Sequence, residues 1–436
     1  MINNQFETTK RVVASLNKEN YKKQINSFGL PIIFENDNVY MTRKGGHSLI
    51  IGATGSGKTQ TVVLPSIRLS MLANNSIVVN DPNGEVYKAT ADEFKKNNYN
   101  VIVLDFAESI YGNYFNPLSL AYLFYKDSNN DKCMSTIEDL GYYIFTDNDS
   151  NMDAFWTNSA TDYFTGLCLY LFEKKNAEIN LNEVFELGNK LADANECEKF
   201  LKEIGKGNVI YYSLAGTLTS PNETKGGIIS TFNQKLKRFI NKDNFSRMIS
   251  KTDFDLKSIV NDKTAIYIKS GYKEFSKCLV SLFIHQLFEL TNSYGNHKQA
   301  INVLLDNFDK IMPIKNCAEI INYSRSINLN FTCIIQSLIG LINSYGKDDS
   351  EVIRLCFSNI VYLYANDLNT MMEMSKMCGN ASNNKPLVSI EELKTLQMFE
   401  AIILLPRLMP YKTILTPDYK IDWGNKFKES ELDVRK

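Results

Sequence analysis

The stretch that decides the fold reads Gly52-Ala53-Thr54-Gly55-Ser56-Gly57-Lys58-Thr59. It matches the phosphate-binding pattern G-x-x-x-x-G-K-[ST] at every fixed position. The glycines let the backbone curl, so that successive N–H groups point into a concavity of the size of a phosphate. All eight residues are therefore predicted to bind a nucleoside triphosphate, with Lys58 on the β- and γ-phosphates and the Thr59 hydroxyl on Mg²⁺.

The surroundings of this loop are typical of a nucleotide-binding site. Residues 48–51 form a short apolar run that predicts a strand, and residues 59–72 have the apolar spacing of a helix. A helix that begins at the loop adds the positive end of its dipole to the same site. A chance glycine-rich turn would lack this order of strand, loop and helix.

Further short apolar runs, separated by helical segments, follow along the chain. They lie at residues 76–79, 101–104, 264–268, 301–305, 331–335, 360–364 and 401–405. Strands that alternate with helices predict an α/β fold with a mostly parallel sheet covered on both faces. Because the phosphate-binding loop follows an early strand, we expect a P-loop nucleotide-binding domain.

The central part of the chain has a different pattern. Apolar and aromatic residues recur there at three- and four-residue spacing, and strand-like runs are scarce, which predicts an inserted all-α domain. The predicted division is an N-terminal segment (1–45), a nucleotide-binding domain in two parts (46–120 and 262–424), the all-α domain (121–261) and a frayed or disordered tail (425–436).

The composition is that of a soluble globular protein, with 44% hydrophobic and 22% charged residues among 436. Lys and Arg number 48 and Asp and Glu 49, so the formal net charge of -1 gives no overall field that would hold a polyanion. Contact with DNA would require local basic patches, or rings of them in an oligomer. The densest basic cluster of the helical region is Q-K-L-K-R-F at residues 234–239, which could equally be a solvated helix face.

The cysteines and the apolar runs indicate in which cellular compartment the chain is expected. The eight cysteines stand singly, without a C-x-x-C pair and with only three histidines in the chain, which argues against a zinc site. We expect buried, reduced thiols. The sequence shows no signal peptide, and its apolar runs are much shorter than the roughly 18 to 20 residues that span a bilayer. These features predict a soluble chain.

The run at residues 301–305 ends in Asp306, in the form of a strand followed by an acid. A P-loop site needs a second carboxylate for Mg²⁺ at the end of a neighbouring strand, and Asp306 is predicted to supply it. In hydrolytic sites a Glu commonly follows and polarises the attacking water, but here the next residue is Asn307. An amide can orient water but cannot accept its proton, so efficient hydrolysis does not follow from the sequence.

Three further polar residues lie after predicted strands. Asp81 and Glu85, in D-P-N-G-E at residues 81–85, could face the nucleotide, because ligands collect at the carboxyl ends of parallel strands. They could equally form a turn and a helix cap. Gln336 follows the run at residues 331–335 and could sense the γ-phosphate through a hydrogen bond.

Together these pieces resemble the type IV secretion coupling proteins of the TraG/TraD group, which are relatives of the FtsK/HerA DNA-pumping ATPases. The resemblance is carried by GATGSGKT at residues 52–59, VVNDPNGEVY at 78–87, FNPL at 115–118, DAFWTNSATDYF at 153–164, LLDNFDK at 304–310, SRSINLNFTCIIQSL at 324–338 and MSKMCGN at 374–380. Each later piece is weak by itself, but their common order is hard to obtain otherwise.

The resemblance implies a RecA-like motor domain with an all-α domain, assembled as a homo-hexamer when active. Such proteins use ATP and Mg²⁺ to pass relaxase-bound single-stranded DNA to a membrane-bound conjugation channel. It implies that Asp306 is the metal acid beside Lys58 and that Gln336 couples the nucleotide state to DNA. It also implies that Arg325 is an arginine finger on a neighbour's γ-phosphate, although from the sequence alone Arg325 could equally be a surface residue that caps a helix.

The chain departs from the family's pattern in two respects. Members usually carry amino-terminal membrane helices, which this sequence lacks, so we expect a soluble variant in the cytoplasm, recruited to the inner face of the cell membrane by a partner protein. In isolation it could be a monomer. Asn307 replaces the usual Glu, so turnover is expected to be slow unless Glu85 or Asp309 contributes an acid. Asp309 is the less favoured of these two, because it falls where a helix is expected.

Three functions are consistent with the sequence. The main prediction is a DNA-stimulated ATPase of conjugative transfer. The first alternative is a nucleotide-gated docking adaptor that binds ATP with little hydrolysis, which Asn307 favours. The second alternative is an FtsK/HerA-type DNA translocase outside conjugation.

Overall fold

The computed structural model describes residues 6–23, 25–146, 154–296, 298–381, 384–424 and 429–432. Its strands are β1 (Asn17–Asn20), β2 (Pro31–Glu35), β3 (Asn38–Met41), β4 (Ser48–Gly52), β5 (Ser76–Asn80), β6 (Asn100–Asp105), β7 (Thr264–Lys269), β8 (Ile301–Leu305), β9 (Leu329–Ile335), β10 (Asn359–Tyr364), β11 (Glu400–Leu404) and β12 (Tyr411–Ile414).

The helices, also in chain order, are α1 (Thr9–Ser15), α2 (Leu64–Leu72), α3 (Glu85–Lys96), α4 (Ser119–Lys126), α5 (Asn130–Phe145), α6 (Ala154–Lys175), α7 (Leu181–Lys190), α8 (Ala194–Ile204), α9 (Val209–Leu218), α10 (Asn222–Ile240), α11 (Asp243–Met248), α12 (Leu256–Asn261), α13 (Glu274–Tyr294), α14 (Cys317–Ser324), α15 (Leu338–Tyr345), α16 (Lys347–Leu355), α17 (Leu368–Cys378) and α18 (Ile390–Lys394). A π-helical turn lies at Thr59–Val63, and 3-10 turns lie at Phe308–Lys310, Arg325–Ile327 and Asp418–Lys420.

A nine-stranded sheet organises the fold, in the order β12-β11-β10-β4-β9-β8-β5-β7-β6. The strands from β10 to β7 pair in parallel, whereas β11 is antiparallel to β10 and β12 to β11. β4, β5 and β8 are buried along their whole length, as expected for parallel strands covered on both faces. The predicted α/β fold with a mostly parallel sheet is confirmed.

The described residues form two compact units. The first comprises Met1–Val103, Lys257–Ser270 and Phe288–Leu432, and its core is made by apolar residues of the sheet and of the helices beside it. The second comprises Leu104–Leu256 and Gly271–Leu287. This second unit includes residues 104–120 and 271–287, which were predicted from the sequence to belong to the nucleotide-binding domain.

Aromatic packing stabilises the second unit. Phe232 of α10 is fully buried, and its ring centroid lies 5.3 Å from that of Tyr163, 6.0 Å from that of Phe145 and 6.4 Å from that of Phe185. Large aromatic rings in such contact supply much of the apolar area that a helical core needs. No helix within the described ranges combines the length and the apolar composition that a bilayer span requires.

The basic cluster at residues 234–239 lies on α10 and is only partly at the surface. Lys237 and Arg238 are exposed, but Lys235 is 1% exposed and lies on the buried face of the helix. The cluster is therefore neither a continuous basic patch nor a wholly solvated helix face. Sequence spacing did not distinguish its buried lysine from the two exposed cations.

The end of the chain is ordered where the structure describes it. Ser430 donates its backbone N–H to the Lys88 carbonyl at 2.9 Å and accepts the Asp92 N–H on Oγ at 2.9 Å, so it docks on α3. The Tyr87 hydroxyl donates to the Glu431 carbonyl at 3.2 Å. The expectation of a frayed tail is wrong for residues 429–432, and residues 425–428 and 433–436 lie outside the described residues.

A buried charge cluster ties α2 to α3 and to the segment after β12. Arg68 Nε donates to the two carboxylate oxygens of Asp418 at 3.0 and 3.2 Å, and its guanidinium also contacts the carboxylate of Glu93. Trp423 Nε1 donates to Asp418 at 3.0 Å. Burial raises the pKa of Glu93 to about 7, against the opposing effect of Arg68. Below about pH 7 the protonated form of Glu93 is therefore favoured in the native state.

We expect the Glu93→Gln variant to lose a pH dependence of stability. A carboxyl whose pKa is raised from 4.5 to about 7 on folding contributes stability that is full below pH 4.5 and is lost as pH rises through 7. The wild type should lose up to about 3 kcal/mol of unfolding free energy over this range through Glu93, and the variant should not. Urea titrations between pH 4.5 and 8 measure the difference, with the exposed Glu35→Gln as the matched control. Parallel curves for Glu93→Gln and the wild type would contradict the assignment.

Candidate functional site

The loop after β4 is curled by two glycines and anchored to the sheet. Gly55 and Gly57 have φ values of +81° and +88°, a region that residues with a side chain rarely adopt. Ala53 donates its N–H to the Tyr364 carbonyl of β10 at 2.8 Å, and the Ser56 N–H donates to the Ala53 carbonyl at 3.2 Å. The loop therefore turns back on itself directly at the end of its strand.

Lys58 lies across the inside of this loop. A Cβ at Gly52 would lie 2.9 Å from Lys58 Cγ and 2.6 Å from Ser56 Oγ, so only glycine leaves room for the lysine stem. Lys58 Nζ donates to the Ala53 carbonyl at 3.0 Å. Burial lowers the pKa of Lys58, while Asp306 and Asp309 raise it. The ammonium is thus held at the loop by its hydrogen bond to Ala53.

The segment after the loop begins as a π-helical turn and continues as α2. Thr59 is the first residue of the turn and is half-buried. Thr61 donates its backbone N–H and its hydroxyl to the Gly57 carbonyl, at 3.0 and 2.9 Å. The predicted helix over residues 59–72 is therefore present, with its first turn wider than an α-helix. Its amino end points at the loop.

The loop fits a phosphate chain. It combines an amino-terminal helix end and a lysine with a buried hydroxyl, and N–H groups of a curled backbone are good anion ligands. Among the described residues, no hydrogen-bond partner satisfies the buried Ser56 Oγ. A phosphate oxygen would satisfy it. The eight residues from Gly52 to Thr59 therefore meet the geometric requirements of the predicted nucleotide site.

Parallel pairing brings further polar residues to the edge of the sheet that carries the loop. Gln336 follows β9 and Asp306 follows β8, and Ile335 pairs with Ile51 at the loop end of β4. β9 lies between β4 and β8, so Asp306 is on the second strand from the loop and not on the adjacent one. The strand that was expected near the loop is therefore present, with one strand between the two. Gln336 occupies the position between the loop and Asp306.

Asp306 is held by two asparagines. Asn80, at the end of β5, donates Nδ2 to the Asp306 carbonyl at 2.6 Å, and the Asn307 N–H donates to Asp306 Oδ1 at 3.0 Å. Burial raises the pKa of Asp306, whereas Lys58 lowers it. The lysine and the carboxylate therefore act on each other electrostatically across the sheet edge. Sequence reasoning missed Asn80, although a polar residue at the end of an apolar strand was a usable signal.

Asn307 stands in a backbone conformation that suits its residue type. Its φ of +56° lies in the left-handed region, where asparagine is tolerated better than most residues. Its Oδ1 accepts a hydrogen bond from Gln336 Nε2 at 3.3 Å. The two amides thus form a pair at the carboxyl ends of β8 and β9, beside Asp306.

Asp309, considered as an alternative acid, points into the protein. Its side chain is buried, and a Cβ at Gly340 of α15 would lie 2.2 Å from Asp309 Oδ2, which shows how closely it packs there. Lys310 Nζ lies 3.5 Å from the same oxygen. Burial raises the pKa of Asp309, and the positive charge of Lys310 opposes this shift.

Asp81 and Glu85 were expected either to face the nucleotide or to form a turn and a helix cap. Asp81 Oδ2 accepts the Tyr87 N–H at 2.8 Å, so this carboxylate caps α3. Burial raises the pKa of Asp81 to about 6, while hydrogen bonds from the helix amides lower it. Glu85 is exposed at the start of α3, and its negative charge raises the pKa of Asp306. The charge of Asp306 also raises the pKa of Asp81, so both carboxyl groups lie near Asp306, and Asp81 caps the helix in addition.

Arg325 lies away from the loop of its own chain. It is exposed in the turn before β9, at the opposite edge of the sheet, where a Cβ at Gly45 would lie 3.7 Å from Arg325 Nε. Burial lowers the pKa of His47 there to about 4, and the charge of Arg325 acts in the same direction. The seven residues of β9 span about 20 Å. The structure therefore does not bring Arg325 together with Lys58 within one chain.

Comparisons with known proteins identify relatives of this arrangement. A model of the family described as Type IV secretory system Conjugative DNA transfer matches residues 2–400. No curated protein sequence matches the chain. The plasmid coupling protein TrwB in complex with the GTP analogue GDPNP is 15% identical, with a TM-score of 0.70 and coverage of 98% of this chain and 95% of that chain.

Two more structures have the same fold. TrwB in complex with ADP and Mg²⁺ is 15% identical, with a TM-score of 0.68 over 94% of this chain and 93% of that chain. VirB4 of Thermoanaerobacter pseudethanolicus is 10% identical, with a TM-score of 0.56 over 90% of this chain and 98% of that chain. These likenesses confirm the predicted RecA-like P-loop fold.

We expect Lys58→Ala to weaken binding of Mg·ATP by roughly 10- to 100-fold, because a charge-assisted hydrogen bond to a phosphate is worth about 1.5–3 kcal/mol. Titration calorimetry measures the affinity directly. The exposed Lys44→Ala removes the same charge away from the loop and should leave the affinity unchanged. Equal affinities for Lys58→Ala and the wild type would refute the placement of phosphates in the loop.

Proposed function

Because the chain belongs to the protein family described as Type IV secretory system Conjugative DNA transfer, we propose that it is the ATP-dependent coupling protein of a conjugative type IV secretion system. It would use ATP hydrolysis to recruit and pump relaxase-bound single-stranded DNA to the transfer channel. The observation that carries this proposal is the phosphate-binding loop that holds Lys58, at the edge of the parallel sheet where β8 ends in Asp306.

In this proposal the nucleotide is ATP with Mg²⁺. The backbone of residues 52–59 holds the phosphates, Lys58 contacts the β- and γ-phosphates, and the Thr59 hydroxyl and Asp306 bind the metal ion. Burial raises the pKa of Asp306, and Glu85 adds a further negative charge nearby, so a divalent cation would stabilise the ionised carboxylate. The TrwB complexes with nucleotides, one of them with Mg²⁺, support this assignment.

The amide pair at the site bears on the rate of hydrolysis. Gln336 and Asn307 can orient a water molecule by hydrogen bonds, but neither can accept its proton. Asp309 packs against α15 and is poorly placed to replace the usual Glu. The second candidate function, a nucleotide-gated docking adaptor with little turnover, is favoured by this one feature.

We expect Asn307→Glu to raise the steady-state ATPase rate by about tenfold or more, because a general base contributes about 10²–10⁴ to such a step. The left-handed backbone at this position costs a residue other than glycine or asparagine about 1–2 kcal/mol, so the variant should also melt at a lower temperature. Asn307→Gln is the matched control, because glutamine has the size of glutamate and the same backbone cost but no carboxylate. If both variants turn over at the wild-type rate, the missing acid is not what limits hydrolysis.

We propose that the active form is a homo-hexamer in which Arg325 acts on the neighbouring subunit's nucleotide. Its exposure at the edge of the sheet opposite to the loop supports a role in trans, because it is too far from its own loop. Rings would also repeat the exposed Lys237 and Arg238, which compensates for a net charge of -1 in a DNA-binding protein. The isolated chain could remain a monomer until DNA or a partner assembles it.

We expect Arg325→Ala and Lys58→Ala each to lose most ATPase activity, by about 10³–10⁵-fold for a missing arginine finger. An equimolar mixture should regain about a quarter of the wild-type rate, because random assembly gives that fraction of sites an intact Lys58 and an intact neighbouring Arg325. Turnover with single-stranded DNA present measures this. A mixture that stays as inactive as either variant would exclude a shared site.

The partners follow from the same proposal. Single-stranded DNA and a relaxase are the cargo, and a membrane-bound component of the secretion channel would recruit the chain to the inner face of the cell membrane. DNA contact would be to the backbone, since a translocating enzyme has no use for base readout.

A further inference from the structure

Two apolar residues that are distant in sequence from the phosphate-binding pattern at residues 52–59 lie beside the phosphate-binding loop. A Cβ at Gly57 would lie 2.8 Å from both Cδ1 and Cε1 of Phe399 and 3.7 Å from Met398 Sδ. The Phe399 ring therefore rests directly on the glycine before Lys58. Phe399 is half-buried and Met398 is 59% exposed, so neither side chain is part of the interior of the protein.

The sheet explains why these residues arrive at the loop. β11 is antiparallel to β10, so it begins at the edge where the parallel strands end. β10 reaches this edge at Tyr364, which pairs with Gly52, the last residue of β4. The residues just before Glu400 therefore lie beside the loop.

The backbone holds Phe399 in a costly conformation. Its φ of +71° is a genuine outlier for a bulky residue. Three hydrogen bonds fix it: the Glu400 N–H to the Gln397 carbonyl at 3.0 Å, the Gln397 N–H to the Glu400 carboxylate at 2.8 Å, and the Leu415 N–H to the Phe399 carbonyl at 2.9 Å. Strain that the surroundings enforce in this way is concentrated at ligand sites.

We propose that Phe399, with Met398 beside it, is the platform on which the purine base of the nucleoside triphosphate stacks. This inference rests on the proposed function, because it takes the phosphates to lie in the loop. An aromatic ring and a thioether bind the face of a base by dispersion and offer no hydrogen bond to its edge. The platform therefore accepts adenine and guanine alike. The specificity of the site lies in the triphosphate and not in the base.

Comparison of nucleotides with inorganic triphosphate separates a platform from a mere support of the loop. Base stacking on an aromatic side chain corresponds to a factor of about 5 to 100 in affinity. Phe399→Gly removes the ring and also suits the positive φ, so it relieves the backbone strain. By calorimetry with Mg²⁺, this variant should bind ATP and GTP about tenfold more weakly than the wild type does, and inorganic triphosphate equally well. The exposed Tyr419→Ala should change none of the three affinities.

The outcomes are distinguishable. Equal losses for ATP, GTP and triphosphate would mean that Phe399 only supports the loop, and unchanged ATP affinity would mean that it is not in contact with the nucleotide; either result overturns the platform. Failure of the wild type to bind any of the three ligands would instead overturn the proposed nucleotide function. If triphosphate binds to the wild type and not to Lys58→Ala, that function survives whatever the Phe399 variant does.

A second variant keeps the ring system and provides a signal. Phe399→Trp preserves a stacking surface and adds an indole to a chain with only two tryptophans. Its emission should change on addition of ATP or GTP and stay constant with inorganic triphosphate, while its ATP affinity stays close to that of the wild type. An equal emission change with triphosphate would indicate a movement of the loop and not contact with the base, and would contradict the proposal.

Discussion

The parallel pairing of β4, β9, β8 and β5 is the constraint on which the rest of this structure depends. Parallel strands end at a common edge, and every polar residue that follows such a strand is brought to that edge whatever its distance along the chain. Lys58 follows β4, Gln336 follows β9 and Asp306 follows β8, so a lysine, an amide and a carboxylate come to one edge although the lysine is more than two hundred residues of sequence from the other two. The antiparallel β11 starts at the same edge, so the residues just before it, and not those after it, are brought there.

The ionisable side chains at this edge are partly removed from water, which shifts their pKa values. Burial raises the pKa of Asp306, Asp309 and Asp81, and it lowers the pKa of Lys58, so both signs of charge are penalised by the loss of water. A carboxylate and an ammonium in such surroundings stabilise each other, and each also gains from a ligand of the opposite charge. A phosphate chain with a divalent cation provides both charges at once.

Asn307 illustrates how local backbone geometry and chemistry are linked. The turn after β8 needs a residue in the left-handed region, and asparagine meets this need at low cost while its side chain accepts a hydrogen bond from Gln336. An amide cannot accept a proton, so the residue that fits this turn offers no proton acceptor there. Asp309, two residues further on, is packed against Gly340.

The sequence by itself determined the loop at residues 52–59 and the positions of the strands of the large sheet from β4 to β11 to within about two residues, and it predicted that Asp306 and Gln336 belong to one site. Phosphate-binding loops and buried strands are encoded locally, by residue type and period, and can be predicted without knowledge of distant contacts. Only the tertiary structure decided that β9 separates β4 from β8, that Asp81 caps a helix, that Lys235 is buried and that Phe399 reaches Gly57. Each of these depends on which residues, distant in sequence, pack together, and the period of a single segment carries no information about its partner.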